Sequence, residues 1–234
     1  MKRRLLLAWG SAAGALALAV VLGRPAWAWL HTLPRSRRVL AFLRAPEAHR
    51  AWIIPALTRC DHAPFLFPSS GFVGYLWGDA FHFGHRHQGI DIFSGTAPGV
   101  TPVYAAYDGY LTREPHWKAS VIIRHPHDPL HPNRQIWTYY THMADPEGHS
   151  FVAFPPGTRE VFVKAGTLLG YQGNYSGNPR RPVGVHLHFS IVLDDGQGHY
   201  RNELDIANTL DPSPYLGLPL NAWEVSTSQA PHCP

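Results

Sequence analysis

Charge is scarce in this chain, and cysteine is scarcer still. Asp, Glu, Lys and Arg together make up 15% of its 234 residues, and there are two cysteines and two methionines. With 45% apolar residues the low charge rules out wholesale disorder and leaves ample material for one packed core plus an appendage. No internal repeat and no low-complexity tract is present, which excludes solenoids and arrays. No cysteine directly follows the N-terminal apolar run, so nothing supports a lipid-anchored start. What is abundant is proline and glycine, 22 and 21 residues. They call for many turns and short elements, and so for a mainly β chain.

A basic nucleic-acid footprint is also missing, despite a pI near 9.2. Residues 1–50 carry nine Lys/Arg against the single acid Glu47, a net of +8, and residues 51–234 carry eleven against fifteen, a net of −4. The body is mildly acidic, so no nucleic-acid partner is expected. Three catalytic signatures are absent as well. There is no His-Glu-x-x-His, no Gly-x-Ser-x-Gly, and the Gly-rich stretch 170–177 has neither a Walker lysine nor a helix after it.

The excess positive charge belongs to the N-terminus. Lys2, Arg3 and Arg4 precede a charge-free apolar run over 5–23. Ala26-Trp27-Ala28 has the small-x-small form of a cleavage site, which favours a removed signal peptide. The length of the run, close to the ~20 residues that span a bilayer, favours a retained anchor. Both readings put the body outside the cytoplasm, with membrane contact through the N-terminal segment if it stays. There Cys60 and Cys233 can form one bridge tying the C-terminus back; two free thiols are the alternative.

The expected organisation is 1–28 as signal or anchor, 29–64 as linker, 65–218 as one domain and 219–234 as a loose tail. A short amphipathic helix is expected over 36–50, ended or kinked by Pro46. Strands are expected over 103–106, 120–124, 135–141, 161–163, 167–171 and 185–193. Asp108-Gly109 reads as a hairpin turn, with loops at 125–133 and 144–156. The fold class is a single antiparallel β-sheet or sandwich with an open groove, preceded by an N-terminal hydrophobic helix and the linker helix.

Sixteen histidines make an unusual supply. His186 and His188 sit two apart in an apolar strand, so both imidazoles leave one face while Leu187 packs behind. An exposed strand pair is the plainer reading of that spacing. His87 and Asp91 lie four apart; extended, they would be roughly 13 Å apart, too far to share an ion with bonds of about 2 Å. Gly89 between them allows a bent loop that joins them, while an idle surface His87 and a turn-capping Asp91 is the alternative. His142 ends an aromatic strand, where a half-buried strand histidine is the ordinary case. His82, His85, His125, His127 and His131 read as exposed loop histidines. Trp77, Tyr139, Tyr140 and Tyr171 are candidates for lining a groove, or for ordinary packing.

Taken in order, these pieces resemble the lysostaphin-type (LytM-like) zinc metallopeptidases, which hydrolyse peptide bonds in bacterial peptidoglycan. The likeness runs from about residue 70 to 215. It includes Gly71-Phe72-Val73, His87-Gln88-Gly89-Ile90-Asp91, Thr101-Pro102-Val103-Tyr104, Tyr140-Thr141-His142, Leu169-Gly170-Tyr171-Gln172-Gly173 and His186-Leu187-His188-Phe189. It implies Zn2+ held by His87, Asp91 and His188, with His142 and His186 as the two catalytic histidines. Three such ligands leave the fourth position to water, as in hydrolytic rather than structural sites. The departures are a longer approach over 176–185, Ser190 where an acid is common, Met143 for Leu, and bulkier loops near 125–133 and 144–160. They bear on the peptide preferred, which includes the possibility of a Gly-rich protein target. The implied function is a zinc metalloendopeptidase acting on peptidoglycan peptides. A non-catalytic cell-wall-binding or hydrolase-regulating member is the rival from another class.

Overall fold

A computed structural model describes residues 27–225 and 229–233. The expected N-terminal hydrophobic helix lies outside the described residues. Among those described, no helix is long and apolar enough to cross a membrane.

Ten short strands carry the body: β1 (Phe72–Tyr75), β2 (Ile90–Phe93), β3 (Pro102–Tyr104), β4 (Gly109–Thr112), β5 (Val121–His125), β6 (Ile136–Thr141), β7 (Val161–Val163), β8 (Leu168–Tyr171), β9 (His186–Leu193) and β10 (Thr209–Leu210). The main antiparallel sheet has the order β1-β2-β9-β6-β5-β4-β7, with β10 also paired to β9. A two-stranded ribbon, β3 and β8, forms a second layer. The fold is mainly β and antiparallel, as the proline and glycine content requires. One face of the main sheet supplies Ile90, Ile92, Ile123, Leu187, Phe189 and Ile191 to a core closed by Phe65, Phe67, Val103 and Leu169. Because side chains alternate along a strand, His186, His188 and Ser190 of β9 leave the opposite face.

Register then builds a row. Asp91 pairs with His188, which pairs with Thr141, so the three side chains stand side by side across β2, β9 and β6. Gly89 makes this possible in a way its spacing does not reveal. Its backbone is not left-handed; a Cβ there would lie 2.2 Å from the Phe189 carbonyl oxygen. Glycine is needed for close approach to β9, and Asp91 stands on a strand rather than in a bent loop.

The linker is more ordered than its sequence suggests. Residues 27–44 form one helix, α1, that runs through Pro34 and stops at Ala45, before the 3₁₀ turn Pro46–Trp52. Pro46 ends it as expected. The buried row Ala28, Thr32, Arg35, Val39 and Phe42 has helical spacing and packs on the β1–β2 edge. The Phe42 and Phe72 rings are 5.3 Å apart. Gly74 admits the helix, since a Cβ there would sit 2.5 Å from Val39. Burying Val39 and Phe42 contributes about 1.5–3 kcal/mol each.

The C-terminal segment is not a loose tail either. Leu220 and Ala222 are buried, Asn221 bridges to Trp77, Trp223 stacks on Trp27 at 4.9 Å, and Cys233 is bonded to Cys60. The short helix α2 (Ser213–Leu216) precedes it.

Candidate metal centre

The row on the sheet gathers three side chains around one point. His87 Nε2 lies 3.1 Å from Asp91 Oδ1 and 3.0 Å from His188 Nδ1, and His188 Nδ1 lies 2.9 Å from Asp91 Oδ1. His87 reaches it from the loop before β2, Asp91 from β2 and His188 from β9. All three are buried. His87 Nδ1–H donates to the Leu76 carbonyl, 3.0 Å away, so in the neutral ring Nε2 is the lone pair available to a cation. His188 Nε2 is buried with no partner, so the ring's only polar contacts are through Nδ1.

Two ring nitrogens thus converge on one carboxylate oxygen, at 3.1 Å from His87 Nε2 and 2.9 Å from His188 Nδ1. A triangle with edges near 3 Å suits a small divalent cation bonded at about 2.0–2.2 Å, and two imidazoles with one carboxylate is a donor set zinc accepts. In the metal-free protein the charges adjust instead. Burial works against the His87 imidazolium, but Asp91 and its hydrogen bond hold the pKa above its ordinary value. Burial also works against the Asp91 carboxylate, which His87 and His186 nevertheless hold well below the usual range.

Two further histidines stand beside the triangle. His186 Nδ1–H donates to the Gly184 carbonyl at 2.6 Å, and His142 Nδ1–H donates to the Tyr175 carbonyl at 2.6 Å. Each ring therefore offers a bare Nε2. Their centroids are 4.4 Å apart, and His186 Nε2 is 3.6 Å from Asp91 Oδ1. Burial lowers the pKa of both; for His142, with His186 and His188 adding to the effect, it falls to about 3. Both are neutral bases near pH 7. His142 holds a left-handed backbone, φ 72°, directly after β6, a costly conformation for a non-glycine residue.

These residues line a groove of about 760 Å³. Tyr139 lines it as the sequence allows, whereas Trp77, Tyr140 and Tyr171 do not. Trp77 donates to Thr209, Tyr140 is fully buried with its oxygen accepting from the Ala106 N–H, and Tyr171 pairs in the β3–β8 ribbon. Sequence reasoning missed Val39 and Leu43 of α1, which form an apolar wall, and Trp117 and Lys118 opposite. The apolar face of α1 was visible, but not where it docks. His85 also lines the groove, its pKa lowered to about 4 by burial and by the neighbouring His87. His125 is not an exposed loop histidine. It ends β5, is 1% exposed, and bonds through both nitrogens to the Asp108 carbonyl and Thr138 Oγ1.

No protein-family model and no curated protein matches the chain. Solved structures do. The catalytic domain of the antimicrobial peptidase lysostaphin from Staphylococcus simulans is 20% identical over 63% of this chain and 90% of that one, with a TM-score of 0.41. Whole lysostaphin is 20% identical over 68% and 53%, with a TM-score of 0.40. A zinc-containing peptidase from Vibrio cholerae is 20% identical over 63% and 40%, with a TM-score of 0.34. The likeness is to lysostaphin-type peptidases. The chain spans about half of whole lysostaphin, and overlap this low carries no conclusion about activity. The chemistry has to come from the residues.

Proposed function

We propose that the protein is a zinc-dependent metalloendopeptidase that hydrolyses peptide bonds in bacterial peptidoglycan. One observation carries the reading. Two buried ring nitrogens and a carboxylate oxygen, about 3 Å from one another and able to share one cation, form the floor of an open groove. Ionisable groups clustered in a groove with shifted pKa values are what a functional site requires.

His87, Asp91 and His188 would hold the ion, which when bound acts as a Lewis acid and acidifies water. The remaining chemistry falls to His142 and His186. Their Nδ1–H groups are fixed on backbone carbonyls, so Nε2 of each is held as a proton acceptor in the groove. One takes a proton from the attacking water. The imidazolium so formed returns that proton to the leaving amine, while the second ring, its Nε2 also an acceptor, orients the water; stabilising the developing oxyanion would fall to the bound ion. Val39, Leu43 and Phe93 on one side and Trp117 and Tyr139 on the other offer apolar surface to a bound peptide.

The substrate assignment rests on the motif resemblance, on the groove and on an N-terminus that reads as an export signal, with the body proposed to lie outside the cytoplasm and membrane contact through residues 5–23 if they are retained. Incubation of the zinc-loaded chain with defined cross-linked muropeptides, followed by mass spectrometry, tests it. One new amine terminus per cut is expected. Bound zinc with no cleavage of any muropeptide or Gly-rich peptide would overturn the enzymatic reading.

A further inference from the structure

The mechanism leaves unused a buried ion pair outside the triangle. Arg35 of α1 and Asp79, in the loop between β1 and His87, are each 1% exposed, with Arg35 Nη1 2.8 Å from Asp79 Oδ1. Arg35 also donates to the His31 and Val225 carbonyls. Thr32 Oγ1 lies 3.1 Å from the same carboxylate oxygen and accepts the Ala80 N–H. The second carboxylate oxygen, Asp79 Oδ2, accepts the Leu76 N–H.

This carboxylate closes the loop that holds His87. The Leu76 carbonyl receives His87 Nδ1–H, the Asp79 carbonyl receives the His87 N–H at 2.7 Å, and the His87 carbonyl receives the Gly78 N–H. Every hydrogen bond that orients His87, apart from those within the triangle, therefore comes from the four-residue turn 76–79. That turn is closed by Asp79 and latched to α1. The latch is a poor source of stability. A buried ion pair roughly breaks even against packed apolar side chains, and here Arg35 Nε is buried without a partner. What the pair does supply is a fixed position and a fixed tautomer for His87.

We infer that Arg35 and Asp79 are positioning residues for the metal centre, so that α1 is an integral part of it. The inference rests on the proposed metal site. It also means that the ion-binding unit includes α1 at Thr32 and Arg35, ahead of the first strand.

The test uses the full chain in detergent, stripped of metal and titrated with zinc against a competing chelator. Arg35→Met should weaken zinc binding by about 10–100-fold. Should that variant unfold through its unpaired Asp79, the double variant Arg35→Met/Asp79→Leu removes both charges; its melting temperature should return towards wild type while zinc affinity stays low. Thr32→Val should produce a smaller loss of the same sign. Zinc binding as tight as wild type in the folded double variant would overturn the inference and leave the metal site standing. A wild-type chain that takes up no zinc would overturn the metal site and this inference with it.

Discussion

Two buried polar clusters sit on the main sheet and solve opposite problems. At the far corner, His125 bonds through both ring nitrogens, and the fully buried Asp128 accepts from the Leu130 N–H, Arg134 and the Tyr215 hydroxyl. Donors and acceptors match there. In the groove, His87, Asp91 and His188 bring acceptors together and leave His188 Nε2 with no partner. Both places are buried, so burial alone does not distinguish a structural histidine from one that could take a cation. Satisfaction of the ring does. His125 has each nitrogen on a separate oxygen, whereas His87 Nε2 and His188 Nδ1 crowd onto one carboxylate oxygen, an arrangement that could take a cation.

The sharpest way to break this comparison is to remove a corner of the triangle. His188→Ala should reduce bound zinc to background and abolish cleavage, while the metal-free protein keeps its fold, as elemental analysis and circular dichroism would show. Normal zinc content in this variant would remove the distinction. Next in size, His142→Ala and His186→Ala should each keep zinc but lower peptide cleavage by about 10²–10⁴-fold, measured as turnover at saturating metal. At the far corner the pattern inverts. Asp128→Ala should cost about 1–3 kcal/mol in urea unfolding, because Arg134 and Tyr215 lose their acceptor, with zinc affinity unchanged.

The smallest effect concerns pH. Burial lowers the His125 pKa to about 4 against the ordinary 6.5. The unfolded chain therefore binds the extra proton first as pH falls, and the contribution to stability present above about pH 6.5 is lost towards pH 4. Between pH 7 and 5 this one group should remove about 2 kcal/mol from the metal-free protein. His125→Asn should flatten that slope without touching zinc binding; an unchanged slope would mean that His125 is not the group that titrates.

Much of this was legible beforehand, and the gaps have physical causes. The strand over 161–163 and the long strands β6 and β9 show in their β-branched and aromatic runs, within a residue of the expected ends. Strands β1 and β2 do not, because Phe72–Tyr75 and Ile90–Phe93 are buried on both faces and show no alternation. Pro34 hides the first half of α1. Tertiary bonds from Thr32 and Arg35 hold the helix through a residue that local propensity would reject. The family resemblance, not spacing, implied that His188 joins His87 and Asp91, and the reason for Gly89 lay in a neighbouring strand. Nothing local to Asp79 marked it as more than a turn residue, since its partner lies 44 positions away.

The most direct measurement is zinc stoichiometry by elemental analysis of the metal-stripped full chain, re-exposed to one equivalent and dialysed, beside His188→Ala treated in the same way. One zinc per chain in the wild type and none in the variant is the predicted result. Wild-type protein that returns empty, or a variant that returns full, would contradict it.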